Sequence, residues 1–333
     1  MHRRLLCQGA ALAAWAPSRA DAQSETSAPP AVRLLAFEGL TPMLGERLAQ
    51  ALRATGKSPV SVEVVPHTAS LDSIQARLRQ WLAESDTEAV PLTVLPTQHW
   101  MGLGLLRPQL AIPHEQFAPV AGLYTLPAGL SAHAALGVRS AEALAERLRQ
   151  RPHQLPGAVL QWGSASHWLA MLWAHRHNTP MRWRVLQTVD AIGHRTSNGE
   201  VAWAFAAPHR FGWQGTHVLM PLGAWQGNAE TPGTRLSAGP LEPLLPHLPE
   251  PCFTVALVPQ TQAWKGVNQE RHLLLKDWLQ RAMKTEPMRM QRAWGDQGDD
   301  VSGAAVSVVQ LAADRQRRAF EAAPVQRLEG GRS

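Results

Sequence analysis

Cysteine is nearly absent from this chain, with only Cys7 and Cys252 in 333 residues. Cys7 falls in an N-terminal stretch that reads as a cleaved leader, so the remaining chain has no intramolecular disulfide to lean on. Cys252 has no thiolate-activating neighbours and reads as a small apolar residue. Charge is sparse at 17% of residues, and the longest basic cluster is Arg315 to Arg318. That is no cationic stripe with stacking aromatics, so nucleic acid is excluded as a partner. No stretch reaches about 18 uninterrupted apolar residues, which excludes a sequence-evident membrane span. No HExxH or CxxC pattern occurs. His175 and His177 are two apart and cannot share a helix face, so neither a metal nor another cofactor is expected. Tyrosine occurs once, at Tyr124, against thirteen tryptophans.

What is present is apolar and periodic. Hydrophobic residues make up 45%, enough for a large folded core rather than a disordered chain. Arg3-Arg4, the mostly apolar Leu5 to Ala16, and Ala20-Asp21-Ala22 match an export signal, with cleavage before Gln23. The arginine pair also fits a twin-arginine signal. Residues 1–22 are therefore expected to be a signal peptide and residues 23–31 a linker, with a periplasmic location for the remainder.

The stretch from Val32 to Pro66 organises the rest. An apolar run, Val32 to Phe37, breaks at Glu38-Gly39; Leu44, Leu48 and Leu52 then recur at helical spacing. Gly56 stops that helix, and Val60, Val62, Val64 and Val65 form a second β-branched run. Strand, helix and strand make a βαβ unit, whose parallel sheet gathers ligands at its carboxyl edge. Further along, the pattern predicts a helix from about Asp72 to Ser85, a strand at Val90 to Leu95 and a loop from Pro96 to Trp100. A strand at Phe117 to Leu123, a helix opened by Ser140 and a strand at Val159 to Trp162 come next. The small-residue turn Gly163-Ser164-Ala165-Ser166 leads into a helix to His175. Strands at Met181 to Leu186 and Val201 to Ala206 flank a helical Val189 to Ser197, and a short strand falls at His217 to Pro221. Asn228 to Pro251 is Pro- and Gly-rich, with little regular structure. A strand from Cys252 to Val258 and helices at Val267 to Thr285 and Ala304 to Ala322 complete the reading.

Three segments carry a likeness: LGERLAQALRATGKSPVSVE (Leu44 to Glu63), EQFAPVAGL (Glu115 to Leu123) and SAEALAERLRQRPHQL (Ser140 to Leu155). With the Gly/Ser turn ahead of HWLAMLW, they make the chain resemble the tripartite tricarboxylate transporter receptors, the periplasmic solute-binding proteins called Bug or TctC proteins. The resemblance runs from about Val32 to Phe320 and marks a divergent member. It implies an α/β fold of the two-lobed periplasmic binding protein type (type II-like). Each lobe is a central sheet flanked by helices, with a cleft between them. By position, lobe one is residues 32–123 and 224–333, and lobe two is residues 124–223. The resemblance further implies a monomer that binds a small organic solute and presents it to membrane transporter subunits or a sensor, without catalysis.

In that family the ligand meets backbone N–H groups at helix N-termini, which suit an anion. The matching loops here place Glu38, Gly39 and Thr41, then Thr68 and Ser70, then Thr97, Gln98 and Trp100, and finally Trp162, Ser164, Ser166 and His167 as candidate ligand-binding residues. The pattern is altered, however. The family's first loop is a longer Pro-Pro-Gly-Gly run, and the second and third loops have lost their glycines, which removes room for close backbone approach. Glu38 adds a negative charge where a carboxylate is expected; it suits an amine or is a solvated loop residue. Ser164 and Ser166 suit either an anion or simple N-capping. Trp162, ending a strand, suits a flat ligand, whereas most of the other tryptophans suit the core. Three readings therefore stand: solute binding of carboxylate, amino-acid or aromatic-acid type, a non-transport interaction or sensory protein, and an exported serine hydrolase. Ser164-Ala165-Ser166-His167 is not a nucleophile elbow, and its Ser and His are too close in sequence for an unstrained triad.

Overall fold

The structure, a computed structural model, describes residues 31–37, 43–56, 58–66, 69–84, 89–106, 108–126, 128–179, 181–206, 215–222, 253–260, 269–294 and 300–322. The opening unit forms as its periodicity requires. β1 (Val32–Phe37) pairs in parallel with β2 (Val60–Val65) and β3 (Val90–Pro96). α1 (Leu44–Gly56) buries Leu44, Leu48 and Leu52 on the sheet, and α2 (Leu71–Ala83) starts on Ser70, whose hydroxyl accepts from the Ser73 N–H at 3.1 Å. β4 (Phe117–Thr125) and β10 (Phe253–Pro259) complete a first sheet in the order β2-β1-β3-β10-β4. β10 runs antiparallel to both of its neighbours. Every residue of β3 and β10 is buried, as expected of strands covered on both faces.

The covering layers are separate. α1, with α7 (Gln269–Met283) and α8 (Glu286–Trp294), closes one face through Leu48, Leu52, Trp278, Leu279 and Met288. α2, α3 (Thr97–Leu106) and α9 (Val306–Ala322) close the other through Ile74, Leu78, Trp100, Leu103, Val309 and Ala312.

From β4 the chain passes directly into a second sheet, ordered β7-β6-β8-β5-β9. Its strands are β5 (Ala128–His133), β6 (Gly157–Leu160), β7 (Trp183–Leu186), β8 (Trp203–Ala206) and β9 (Thr216–Leu222). α4 (Ala141–Gln150), α5 (Ala165–Arg176) and α6 (Val189–Ser197) cover it. Trp173, Trp203 and Phe205, all fully buried, fill the core beneath α4 and α5, while Ile192 and Val201 pack on the α6 side. The architecture is thus the expected two-lobed α/β fold.

Three local expectations are corrected. The loop read at Pro96 to Trp100 is a helix, because β3 runs straight into α3 with no intervening residue. Gly102 and Gly104 weakened the helical signal of TQHWMGLGLL, since glycine costs a helix about 1 kcal/mol relative to Ala. β5 (AGLSAH) went unrecognised because its small residues have little strand preference, and pairing on both edges with β8 and β9 makes it a strand. The helix read from Val267 to Thr285 ends at Met283, and α8 follows after a turn, with Pro287 in its first turn.

Candidate ligand cleft between the lobes

The turn from β6 into α5 is where the two lobes meet. Gly163 has φ +78°, a left-handed conformation that favours glycine. A Cβ built there would lie 2.9 Å from the Leu71 side chain, 3.3 Å from Leu103 and 3.4 Å from Leu106. The backbone of the second lobe therefore rests directly on leucines carried by α2 and α3 of the first.

The polar groups of this turn are largely engaged with one another. Ser164 is the N-cap of α5: its hydroxyl accepts from the His167 N–H at 3.2 Å and donates to the Leu160 carbonyl. The Ser166 hydroxyl accepts from the Leu160 N–H at 2.8 Å. His167 Nδ1 accepts from the Gly163 N–H at 3.0 Å. Neither serine hydroxyl reaches the imidazole, so the turn forms no Ser–His relay. The first two helical amides, those of Ala165 and Ser166, have no intramolecular partner among the described residues. They sit at the positive end of the helix dipole, the standard anion-binding position.

Burial decides the charge of this corner. His167 is 1% exposed, and burial pushes its imidazole down to about 3. It is neutral at pH 7 and brings no positive charge. Its ring is edge-on to Trp162 (centroids 4.7 Å apart, 87°) and to Trp183 (5.6 Å, 85°). Trp162 is 40% exposed, which leaves part of the indole open beside the helix start.

The remaining candidates divide. Ser70 caps α2 immediately before Leu71, so the structure does bring the starts of α2 and α5 together. Thr97 is fully buried, and its hydroxyl accepts from the Phe253 N–H at 3.1 Å, tying β10 to the start of α3. Gln98 is 3% exposed. Trp100 is buried and its indole N–H donates to the His114 carbonyl at 3.1 Å. Trp100 is therefore a core residue rather than an open stacking platform. Glu38, Gly39, Thr41 and Thr68 lie outside the described residues.

Sequence reasoning missed the apolar side of this junction. Leu71, Leu106, Trp168, Met171, Leu172 and Phe320 form one cluster drawn from α2, α3, α5 and α9. A signal for it exists: the apolar residues of α3 and α5 show almost no helical sidedness, and such helices are covered all round. Among the described residues no group of three or more His, Cys, Asp or Glu side chains is placed to hold a metal ion. Among those residues, too, no helix is long and apolar enough to cross a membrane.

No protein-family model and no curated protein matches the sequence. Solved structures do match in fold. One is a TctC solute-binding protein from Polaromonas without ligand, with TM-score 0.64 and 15% identity over 87% of this chain and 96% of that one. Another is a Rhodopseudomonas palustris protein with adipate, with TM-score 0.61 and 15% identity over 88% and 96%. A third is MatC from R. palustris with bound malate, with TM-score 0.58 and 17% identity over 88% and 99%. This chain shares the fold of these three structures over 87–88% of its length.

Proposed function

We propose that the chain is a divergent periplasmic solute-binding protein of the TctC/Bug type. It captures one small organic acid between its lobes for a tripartite tricarboxylate-type transporter. Lobe one is residues 32–123 and 224–333 and lobe two residues 124–223, behind a signal peptide at 1–22 and a linker at 23–31. The observation that carries this reading is the pair of unengaged amides, Ala165 and Ser166, at the lobe junction, beside the leucine wall of α2 and α3.

That setting supports a particular class of solute. Two amides on a helix dipole suit one carboxylate. His167 is neutral, and the other described candidates, Ser70, Thr97, Gln98, Trp100 and Trp162, carry no cation to balance a second carboxylate. A charge placed against Leu71, Leu103 and Leu106 would lose its hydration without compensation. The favoured solute is a monocarboxylate with an aliphatic or aromatic body, the body against the part-exposed Trp162 and against the leucines once the lobes separate, since Leu103 and Leu106 are covered in this structure. Glu38, Gly39, Thr41 and Thr68 complete the lobe-one side in this reading, with Glu38 suiting the amine of an amino acid.

The test is a thermal-shift screen of the mature chain against aliphatic and aromatic monocarboxylates, amino acids and dicarboxylates. A solute at 100 times its Kd stabilises by about 2.7 kcal/mol, a shift of a few degrees. Ala165→Pro supplies a sharp control, because proline at the first helical position keeps the helix and removes one of the two amides. The shift should vanish in Ala165→Pro and shrink in Trp162→Ala. Preferential stabilisation by dicarboxylates, or a shift indifferent to Ala165→Pro, refutes the proposed site.

One observation favours a second reading. The lobe junction is already packed with the protein's own apolar side chains, as suits a protein that has ceased to carry solutes and acts as a periplasmic interaction or sensory protein. A flat screen on a folded protein supports that reading.

A further inference from the structure

We propose that Trp168 is a latch that holds the two lobes together before any solute arrives. Trp168 belongs to α5 and hence to the second lobe, yet its indole sits in a socket made by the first. One wall is Gly102 of α3, where an added Cβ would be 2.8 Å from the indole Cζ2 and 2.9 Å from Cε2. The other is Phe320 of α9, whose ring stacks on the indole with centroids 4.2 Å apart and planes at 27°. Leu106 and Ala319 complete the surroundings, and Trp168 is fully buried. α9 is anchored on the first sheet through Val309, Ala312 and Ala313. The socket is therefore part of lobe one.

The chemistry makes this a latch rather than a permanent joint. Separating α5 from α3 and α9 exposes a whole indole, among the largest apolar areas a side chain can bury, and breaks an aromatic stack. The indole itself brings no hydrogen bond to resist the separation: the Trp168 N–H is buried without a partner among the described residues. Opening to water satisfies that N–H, which offsets part of the lost burial and keeps the open state within reach. The closed state then exists without ligand, and a solute gains access only in the fraction of molecules whose latch is released.

This gating role rests on the solute-binding reading, whereas the latch itself does not. It is tested on the solute-free mature chain by electron–electron distance measurement, with Cys252→Ser and spin labels at Glu46→Cys of α1 and Glu142→Cys of α4. The parent should show one narrow distribution. Trp168→Ala and, independently, Phe320→Ala should lengthen and broaden it, whereas Trp168→Phe, which keeps a stack, should retain it. Trp173→Ala, inside the core of lobe two, is the control for mere destabilisation and should leave the distance unchanged. If Trp168→Ala does not fold, Phe320→Ala carries the test. An unchanged distribution in Phe320→Ala and in any folded Trp168→Ala, or a broad one in the parent, overturns the latch. Lobes that separate while every solute fails to bind sink the solute reading and leave the latch; solute binding with unmoved lobes does the reverse.

Discussion

Acid should weaken this protein through His167, and the size of the effect follows from where the ring sits. The imidazole is 1% exposed, accepts the Gly163 N–H on Nδ1 at 3.0 Å, and is flanked edge-on by Trp162 and Trp183. Protonating Nδ1 would set two donors against each other and place a cation in an apolar pocket, so burial pushes the group down to about 3. An unfolded histidine titrates near 6.5. Because the folded value is the lower one, the unfolded chain binds the extra proton. The stability contributed by keeping His167 neutral is complete above pH 6.5 and falls as the pH drops from there toward 3. Between pH 7.5 and 5.0 the loss from this one residue is about 2 kcal/mol, at 1.36 kcal/mol per pH unit over the roughly 1.5 units below 6.5. A shift of one unit in the folded value hardly changes that figure. His167→Asn keeps an acceptor in reach of the Gly163 N–H and cannot titrate. Urea unfolding at pH 7.5, 6.0 and 5.0 should show the parent losing about 2 kcal/mol more than His167→Asn over this range. Equal pH dependence in the two proteins refutes the assignment of a buried neutral imidazole.

The other predictions concern single hydrogen bonds. Ser164→Ala removes the N-cap of α5 and should lower stability by about 1 kcal/mol in chemical denaturation; no loss would mean that water caps the helix equally well. Ser166→Ala leaves the buried Leu160 N–H without its 2.8 Å acceptor and should cost about 1–3 kcal/mol, with faster hydrogen exchange at the Leu160 amide as the local readout. Tyr124→Phe deletes the hydroxyl that donates to the Met288 carbonyl at 2.8 Å and should cost about 1 kcal/mol by calorimetry, without altering solute binding.

Much of the fold was legible because it is written in local periodicity. Leu44, Leu48 and Leu52 at helical spacing placed α1, and the β-branched run from Val60 to Val65 placed β2. The helix read from Val189 to Ser197 agrees with the bounds of α6, which Thr188 caps. The failures have equally local causes. α3 carries two glycines, β5 is built of Ala, Gly and Ser, and α8 begins within a few residues of the end of α7. The candidate site was legible only as a set of chemical possibilities. In Gly163-Ser164-Ala165-Ser166-His167 the same hydroxyls and ring could hold a ligand or hold the turn. The choice was made by the end of β6, which brings the Leu160 N–H and carbonyl to the serines and leaves over the amides of Ala165 and Ser166 and the His167 Nε2–H.

Trp168 marks the boundary between the two kinds of information. The sequence by itself determined the opening βαβ unit and most of the other strands and helices, because these depend on residues a few positions apart along one element. That Trp168 faces Gly102 and Phe320, that Gly163 lies on Leu71 and Leu103, and that Ser164 and Ser166 serve the turn was decided only by the tertiary structure. Most of these partners lie on other elements, some far along the chain. Their meeting is set by how the chain crosses from the first sheet to the second and returns, and no local pattern of apolar and polar residues carries that arrangement.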